Sequence, residues 1–209
     1  GARKALELGS GPVLLFVGRI QPLKGADVAV RSLAELGRKD AVLLIVGGAS
    51  GTEGETELAH VHSLIEELGV EGQVRFVEPQ PHHILSTYYR AADVVLVPSR
   101  SESFGLVALE AAACGIPVVA TAVGGLLNII EDGRTGFLVP DRQPDVFARH
   151  IATILDDPSV AANMSAQAAE RAKAYTWSFA AARLRRAYTD LTSRDRVVCK
   201  SKNHERAIR

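Results

Sequence analysis

The sequence predicts an α/β protein built on a doubly wound parallel sheet of about six strands, followed by a helical carboxyl-terminal part. Short apolar runs alternate with segments of helical periodicity six times along the chain. This alternation is typical of a parallel sheet with helices on both faces. Several of the apolar runs are also continuous in hydrophobicity, as expected of strands that are buried on both faces.

Composition and charge exclude several other classes of protein. Of the 209 residues, 47% are hydrophobic and 23% are charged, as in an ordinary globular domain. The 24 Lys and Arg residues balance the 24 Asp and Glu residues, so charge gives no reason to expect nucleic acid or an anionic membrane as a partner. No apolar run reaches the roughly 18 residues of a membrane-spanning helix. Cys114 and Cys199 lie in dissimilar surroundings, which favours free thiols in a reducing, cytoplasmic setting.

The six apolar runs are predicted as strands, and most of them are closed by glycine or proline. In chain order the predicted strands cover residues 13–17, 41–46, 74–77, 94–97, 116–120 and 136–139. Helices are predicted between and after the strands. The first ends before Gly37, the second covers 53–68, the third ends at Ala92 and the fourth covers 107–114. After the last strand, helical sequence starts at Pro144, and a final helix covers 178–191. Within the last part, Asp157-Pro158 is a typical helix start, with an N-cap followed by proline.

The two ends of the chain set the expected domain boundaries. The opening residues, Gly1 to Leu8, lack an initiator Met and are typical of the end of a linker helix. We therefore expect the chain to be the second half of a longer protein. From residue 193 onward the sequence is polar and basic without periodicity, so one domain is expected over 1–192 and a disordered basic tail over 193–209.

Two glutamates follow the fourth predicted strand, at the edge where open parallel sheets bind ligands. Glu102 lies in the loop after this strand, and Glu110 lies eight residues later in an apolar, Ala-rich helix. Carboxylates only accept hydrogen bonds and therefore suit pairs of sugar or ribose hydroxyls. The backbone N–H groups at the helix start add donors for a polar ligand. Taken alone, the pair also fits chance spacing or a solvated helix face.

A second group of candidate residues follows the first predicted strand. Gly18 ends the strand and allows a ligand to approach the backbone closely. Arg19 and Lys24 lie on the next turn, where a planar guanidinium and a mobile ammonium suit a diphosphate. Solvated loop charges are the alternative interpretation of these two cations.

Together these two motifs resemble the retaining glycosyltransferases of family 4, which have the GT-B architecture. The resemblance rests on the Glu102-to-Glu110 spacing with Phe104-Gly105-Leu106 inside it, and on the Gly-Arg-x4-Lys-Gly pattern that starts at Gly18. It extends from Val13 to about Leu191. It implies that the chain is the carboxyl-terminal, Rossmann-like half of such an enzyme, which binds the nucleotide sugar, while a missing amino-terminal domain binds the acceptor.

The resemblance also implies roles for individual residues. Arg19 and Lys24 would neutralise the diphosphate, Glu102 would hold the donor sugar, and all three would serve catalysis. Glu110 would bind the ribose, and the loop from Glu78 to Pro81 would face the nucleobase, although a structural proline turn is an equal alternative there. The implied donor-binding residues are Gly18, Arg19, Lys24, Gln80, Glu102, Ser103, Phe104, Gly105, Leu106 and Glu110.

The implied function is transfer of a hexosyl or N-acetylglucosaminyl group from a nucleotide sugar, which a UDP carrier fits best. More narrowly, residues 16–24 and 47–51 are similar to the mycothiol-pathway transferases that use inositol phosphate as acceptor. This chain alone is expected to be inactive without its acceptor half. The alternative is a non-catalytic nucleotide-sugar-binding module or a truncated product, and a homodimer is left open.

The chemistry implied by the resemblance requires no cofactor, although the narrower group has a structural magnesium. That ion is associated with the turn that matches Tyr89-Arg90-Ala91-Ala92, near a threonine that is Ile116 in this chain. Gly124-Gly125 matches a family loop near the reacting sugar, in which a proline usually follows. This chain has Leu126-Leu127 there. A purely geometric role is the alternative for these glycines.

Overall fold

A computed structural model describes residues 1–193, which contain one parallel sheet of six strands and nine α-helices. The strands, numbered β1 to β6 in chain order, are Val13–Val17, Val42–Val46, Val74–Val77, Val94–Val97, Val118–Thr121 and Gly136–Val139. The α-helices, numbered α1 to α9, are Ala2–Ala5, Ala26–Leu36, Gly54–Leu68, His82–Ala91, Leu106–Ala113, Leu126–Ile129, Pro144–Asp156, Pro158–Ala172 and Trp177–Ser193. Short 3-10 helices cover Glu71–Gln73 and Lys173–Tyr175.

The sheet confirms the predicted fold class, because its strands run in parallel in the order β3-β2-β1-β4-β5-β6. The side chains of β4 and β5 are all buried, as are most of those in β1 and β2. The edge strands β3 and β6 are only partly buried. Continuous apolar runs therefore form the strands that helices cover on both faces.

The strand order reverses between β1 and β4, which places the ligand crevice of a doubly wound sheet between their carboxyl ends. Leu14 and Leu15 of β1 pair in register with Val94 and Val95 of β4. From β1 the chain winds outward through α2 and α3, which contact each other, and α4 and α5 contact each other in the same way. The loops after β1 and β4, which carry the predicted site residues, therefore lie side by side.

Some local features differ from the sequence prediction, and the smallest are shifts of one residue, for example at the start of β2 and at both ends of α5. Strand β5 begins at Val118 and not at residue 116, because the N–H of Ile116 donates to the carbonyl of Ala111 and closes the end of α5. The four-residue helix α6, Leu126–Ile129, was not predicted, since it has no polar side-chain cap at its start. The predicted helix start at Asp157 is confirmed, because its Oδ1 accepts from the N–H groups of Ser159 and Val160.

The chain divides into two compact units, and α1 to α8 with the whole sheet belong to the first, Gly1–Lys173. Helix α9 belongs to the second unit, which begins at Ala174. The predicted tail, 193–209, overlaps the described residues only at Ser193, the last residue of α9, so its disorder and the boundary at 192 stay predictions. None of the helices within residues 1–193 is long and apolar enough to cross a membrane.

The cysteine prediction is tested only at Cys114. Its thiol is free, and burial raises its pKa, so the neutral thiol is favoured. Cys199 lies outside the described residues.

Candidate active site

The turn between β1 and α2 is fixed against the end of β4. Gly25, the N-cap of α2, has the left-handed φ of 80°, and a Cβ there would lie 2.5 Å from the carbonyl oxygen of Pro98. Arg142 Nε donates to the same carbonyl over 2.8 Å, and its Nη2 donates to Oδ1 of Asp27 over 3.0 Å. Only glycine allows this close approach, so the turn that carries Lys24 is held in one place.

The structural role of Arg142 was missed by sequence reasoning. This residue follows β6 at the same edge of the sheet as the other site residues. Its position after a strand could have indicated a contribution to this edge. Its partners could not be inferred, because Asp27 is 115 residues away in the chain.

Lys24 and Glu102 form an ion pair across the reversal point of the sheet. Lys24 Nζ donates to Glu102 Oε2 over 2.8 Å, and the two side chains are 22% and 18% exposed. Both residues line a cavity of about 50 Å³, together with Gly18 and the buried Ser99. The structure thus brings together the cation predicted for a diphosphate and the carboxylate predicted for a sugar, although they are 78 residues apart.

A larger cavity of about 400 Å³ opens between the ends of β1 and β2 and the loop after β3. Gly18, Arg19 and Gln80 line it, and the Arg19 side chain is exposed. Gln80 Nε2 donates to the carbonyl of Glu78 over 2.9 Å, a bond that stabilises this loop. Because Gly18 lines both cavities, they are neighbouring parts of one crevice. Its larger part has a volume within the range of small-molecule sites, roughly 300–1,000 Å³.

Ser103 and Phe104 in the loop after β4 are exposed to solvent, as is Leu106, the first residue of α5, while Gly105 is buried. Gly105 has a left-handed φ of 94° and is the N-cap of α5. The first N–H groups of a helix lack intrahelical partners and favour a negatively charged or strongly polar ligand. The start of α5 therefore provides donors next to the Lys24–Glu102 pair.

Gly124 and Gly125 pack directly against this loop, which supports the geometric alternative for them. The N–H of Gly125 donates to the carbonyl of Glu102 over 2.8 Å. A Cβ at Gly124 would lie 2.0 Å from that carbonyl oxygen, and one at Gly125 would lie 2.3 Å from the carbonyl oxygen of Phe104. The two glycines thus allow the loop after β5 to support the segment that carries Glu102.

We expect Gly125→Ala to destabilise the protein, because the added methyl group would displace the backbone at Phe104. Overpacking of this kind costs about 1–3 kcal/mol, and each kcal/mol lowers Tm by about 2–4 °C in a domain of this size. The control is Gly72→Ala, since a Cβ there has no atom within 4 Å and its φ is not positive. Thermal unfolding followed by circular dichroism measures both. Equal Tm values for the two variants would contradict the supporting role.

Glu110 lies in α5 and is held by two side chains of α4. Tyr89 OH donates to Oε2 over 2.7 Å, and His82 Nε2 lies 2.8 Å from Oε1. Burial, reinforced by the neighbouring Glu110, raises the pKa of the Tyr89 hydroxyl, which therefore keeps its proton. Glu110 is not among the described residues that line the two cavities. His82 links it to them, because it directly follows the loop that contains Gln80.

The residues predicted for a magnesium site lie at the end of α4, where Tyr89, Arg90 and Ala92 would offer backbone carbonyls. The carbonyl of Tyr89 already accepts from the N–H of Ala92 over 3.1 Å. The nearby carboxylate of Asp93 pairs with Arg3 at 2.5 Å. No cluster of three or more His, Cys, Asp or Glu that could hold a metal occurs among residues 1–193. Magnesium favours carboxylates and water in octahedral geometry, so these residues fit it poorly, and the ion stays a prediction.

The fold and the crevice together define a class of protein. A doubly wound sheet with a glycine-rich turn, two cations and a helix start at its reversal point is the arrangement of a nucleotide-binding Rossmann-like domain. The particular family follows from comparison of the sequence. The chain belongs to the family of glycosyl transferases group 1, whose model matches residues 2–172.

The chain has curated relatives that are longer than it is. D-inositol 3-phosphate glycosyltransferase 2 of Catenulispora acidiphila is 49% identical over 176 residues, which cover 81% of this chain and 41% of that protein. The chain therefore spans less than half the length of this relative.

Solved structures of glycosyltransferases share the fold. Sucrose-phosphate synthase from Thermosynechococcus elongatus superposes with a TM-score of 0.84 at 37% identity, over 91% of this chain and 48% of that one. Anabaena Alr3699/HepE in complex with UDP-glucose superposes with a TM-score of 0.81 at 27% identity, over 91% of this chain and 51% of that one. The predicted GT-B relationship is thereby confirmed at the level of the domain.

Proposed function

We propose that this chain is the donor-binding half of a retaining glycosyltransferase and that its crevice binds a UDP-sugar. The observation that carries the proposal is the Lys24–Glu102 pair at the reversal point of the sheet, beside a cavity lined by Gly18, Arg19 and Gln80. The cavity would take the uracil, the cations would take the diphosphate, and Glu102 would take the sugar. The complex of Alr3699/HepE with UDP-glucose supports the choice of donor.

In the proposed reaction the bond between the anomeric carbon and the diphosphate oxygen breaks, and negative charge develops on that oxygen. The acceptor's hydroxyl oxygen forms the new bond to the anomeric carbon, and its proton passes to the departing diphosphate. Lys24 and Arg19 would stabilise the charge together with the free N–H groups at the start of α5. Preorganised donors of this kind act where charge develops in the transition state. Ser103, Phe104, Gly105 and Leu106 lie in the segment that enters α5, so their backbone would contact the sugar. Glu110 would accept from the ribose hydroxyls.

The acceptor that we propose is inositol phosphate, with N-acetylglucosamine as the sugar. The choice of acceptor is supported by the 49% identity to a D-inositol 3-phosphate glycosyltransferase, while the choice of sugar rests on the resemblance of the sequence motifs alone. Binding of the acceptor would require an amino-terminal domain, since the match to that relative covers 41% of its length. The cytoplasmic setting stays a prediction, and the sequence left a homodimer open.

We expect the chain to bind UDP and UDP-N-acetylglucosamine weakly and to transfer no sugar by itself, because it carries the donor crevice alone. Isothermal titration calorimetry with both ligands measures the binding. Uridine is the matched control ligand, since it lacks the diphosphate and should bind more weakly than UDP. No heat with either UDP ligand would contradict the donor-site assignment, and equal binding of uridine would contradict the diphosphate role of Arg19 and Lys24. A non-catalytic binding module would give the same result in this experiment. Sugar transfer after an acceptor domain is added would distinguish the transferase from such a module.

A further inference from the structure

The two partners of the Glu110 carboxylate differ in how permanent they are. Tyr89 is 2% exposed and donates to Oε2 from the interior of α4. His82 is the first residue of α4, and its side chain is 84% exposed where it meets Oε1. Water or a ligand can replace an exposed imidazole at little cost, whereas a buried hydroxyl that loses its acceptor is left unsatisfied.

The Tyr89 hydroxyl has a fixed direction and a fixed role. Tyr89 is among the largest fully buried side chains of the described chain, and α4 packs against α5, which carries Glu110. Since an ionised carboxylate only accepts hydrogen bonds, the tyrosine donates. This bond fixes the rotation of the carboxylate and leaves Oε1 facing the exposed side chain of His82.

We propose that Tyr89 is a positioning residue for nucleotide binding: it holds Oε2 of Glu110 so that Oε1 accepts from the ribose hydroxyls, which take the place of His82. This inference rests on the proposed function, because it requires a nucleotide in the crevice. A glutamate side chain loses conformational freedom when it is fixed. Tyr89 has fixed Glu110 before the ligand arrives, so the ligand bears less of that cost.

The test compares two neighbouring tyrosines. Tyr89→Phe removes the hydroxyl and keeps the buried ring. Tyr88→Phe is the matched control, because Tyr88 is also buried in α4 and its hydroxyl has no hydrogen-bond partner within residues 1–193. Calorimetry measures the affinity of each variant for UDP and for 2′,3′-dideoxy-UDP, which lacks the hydroxyls that Glu110 would bind.

We expect Tyr89→Phe to weaken UDP binding about tenfold, which corresponds to about 1.4 kcal/mol, and Tyr88→Phe to leave it unchanged. Affinity for the dideoxy analogue should be the same in all three proteins. In a Glu110→Gln background, Tyr89→Phe should cause little further loss of UDP binding, since coupled residues are not additive.

Two results would overturn the role of Tyr89 while the donor site stands. One is unchanged UDP affinity in Tyr89→Phe, and the other is an equal loss for UDP and for the dideoxy analogue, which would indicate general damage to the fold. Absence of UDP binding by the unsubstituted chain would instead overturn both this inference and the proposed function. The unsubstituted protein therefore separates the two failures.

Discussion

Lys24→Ala should lower the rate of sugar transfer by about 10²-fold or more in a transferase that combines this domain with its acceptor half. Removal of one preorganised donor to a developing oxyanion costs roughly 3–4 kcal/mol. Gly25 and Arg142 fix the turn that carries Lys24 against the carbonyl of Pro98, so the ammonium group is held near its place. Arg19→Ala should have an effect of the same order. Steady-state rates with UDP-N-acetylglucosamine as donor measure both.

The control for these variants is Lys39→Ala. Lys39 is exposed in the connection between α2 and β2, at the edge of the sheet opposite the crevice. It should leave transfer unchanged. If Lys24→Ala lost its circular dichroism spectrum together with its activity, the residue would be structural and the assignment would be wrong.

Glu110→Gln should weaken UDP binding roughly ten- to hundredfold, whereas Glu102→Gln should leave it intact or strengthen it. A hydrogen bond to a charged group contributes about 1.5–3 kcal/mol. The Glu110→Gln variant would lose the charge that strengthens its hydrogen bonds to the ribose. Glu102→Gln removes a negative charge 2.8 Å from Lys24 Nζ and frees that cation for the diphosphate. Its defect should appear in turnover of the sugar donor. Calorimetry with UDP separates the two variants.

Glu66→Gln serves as the control for this pair, because Glu66 is exposed on α3. Equal losses of UDP affinity in Glu102→Gln and Glu110→Gln would refute the proposed division of roles. No loss in either would mean that the spacing of the two glutamates is coincidental.

The ion pair between Lys24 and Glu102 has a consequence for how the donor binds. Each charge satisfies the other, and both side chains are less than a quarter exposed. A diphosphate that approaches Lys24 would have to compete with Glu102, while a sugar hydroxyl that donates to Glu102 would weaken its hold on Lys24. Recognition of the diphosphate and recognition of the sugar would therefore be coupled. A nucleotide without its sugar would bind less tightly, because it would compete with Glu102 for Lys24 while no sugar hydroxyl donates to Glu102.

The sequence by itself determined the sheet and the positions of its loops. β1, β3, β4 and β6 have the predicted bounds. In β1 and β4 the reason is that a continuous apolar run closed by glycine or proline can be buried in few other ways. The glutamates at 102 and 110 and the cations at 19 and 24 were found through motifs of nearby residues. These features are local, so they can be recognised without knowledge of what packs against them.

Only the tertiary structure decided which side chains meet. Lys24 pairs with Glu102, Arg142 reaches Asp27, and the hydroxyl of Tyr89 reaches Glu110. The sequence assigned Tyr89 to a metal turn, and its hydroxyl role was missed because that role depends on how α4 packs against α5. A hydrogen bond requires its two atoms within about 3 Å. Distances of this kind between residues from different elements are set by strand order, register and helix packing.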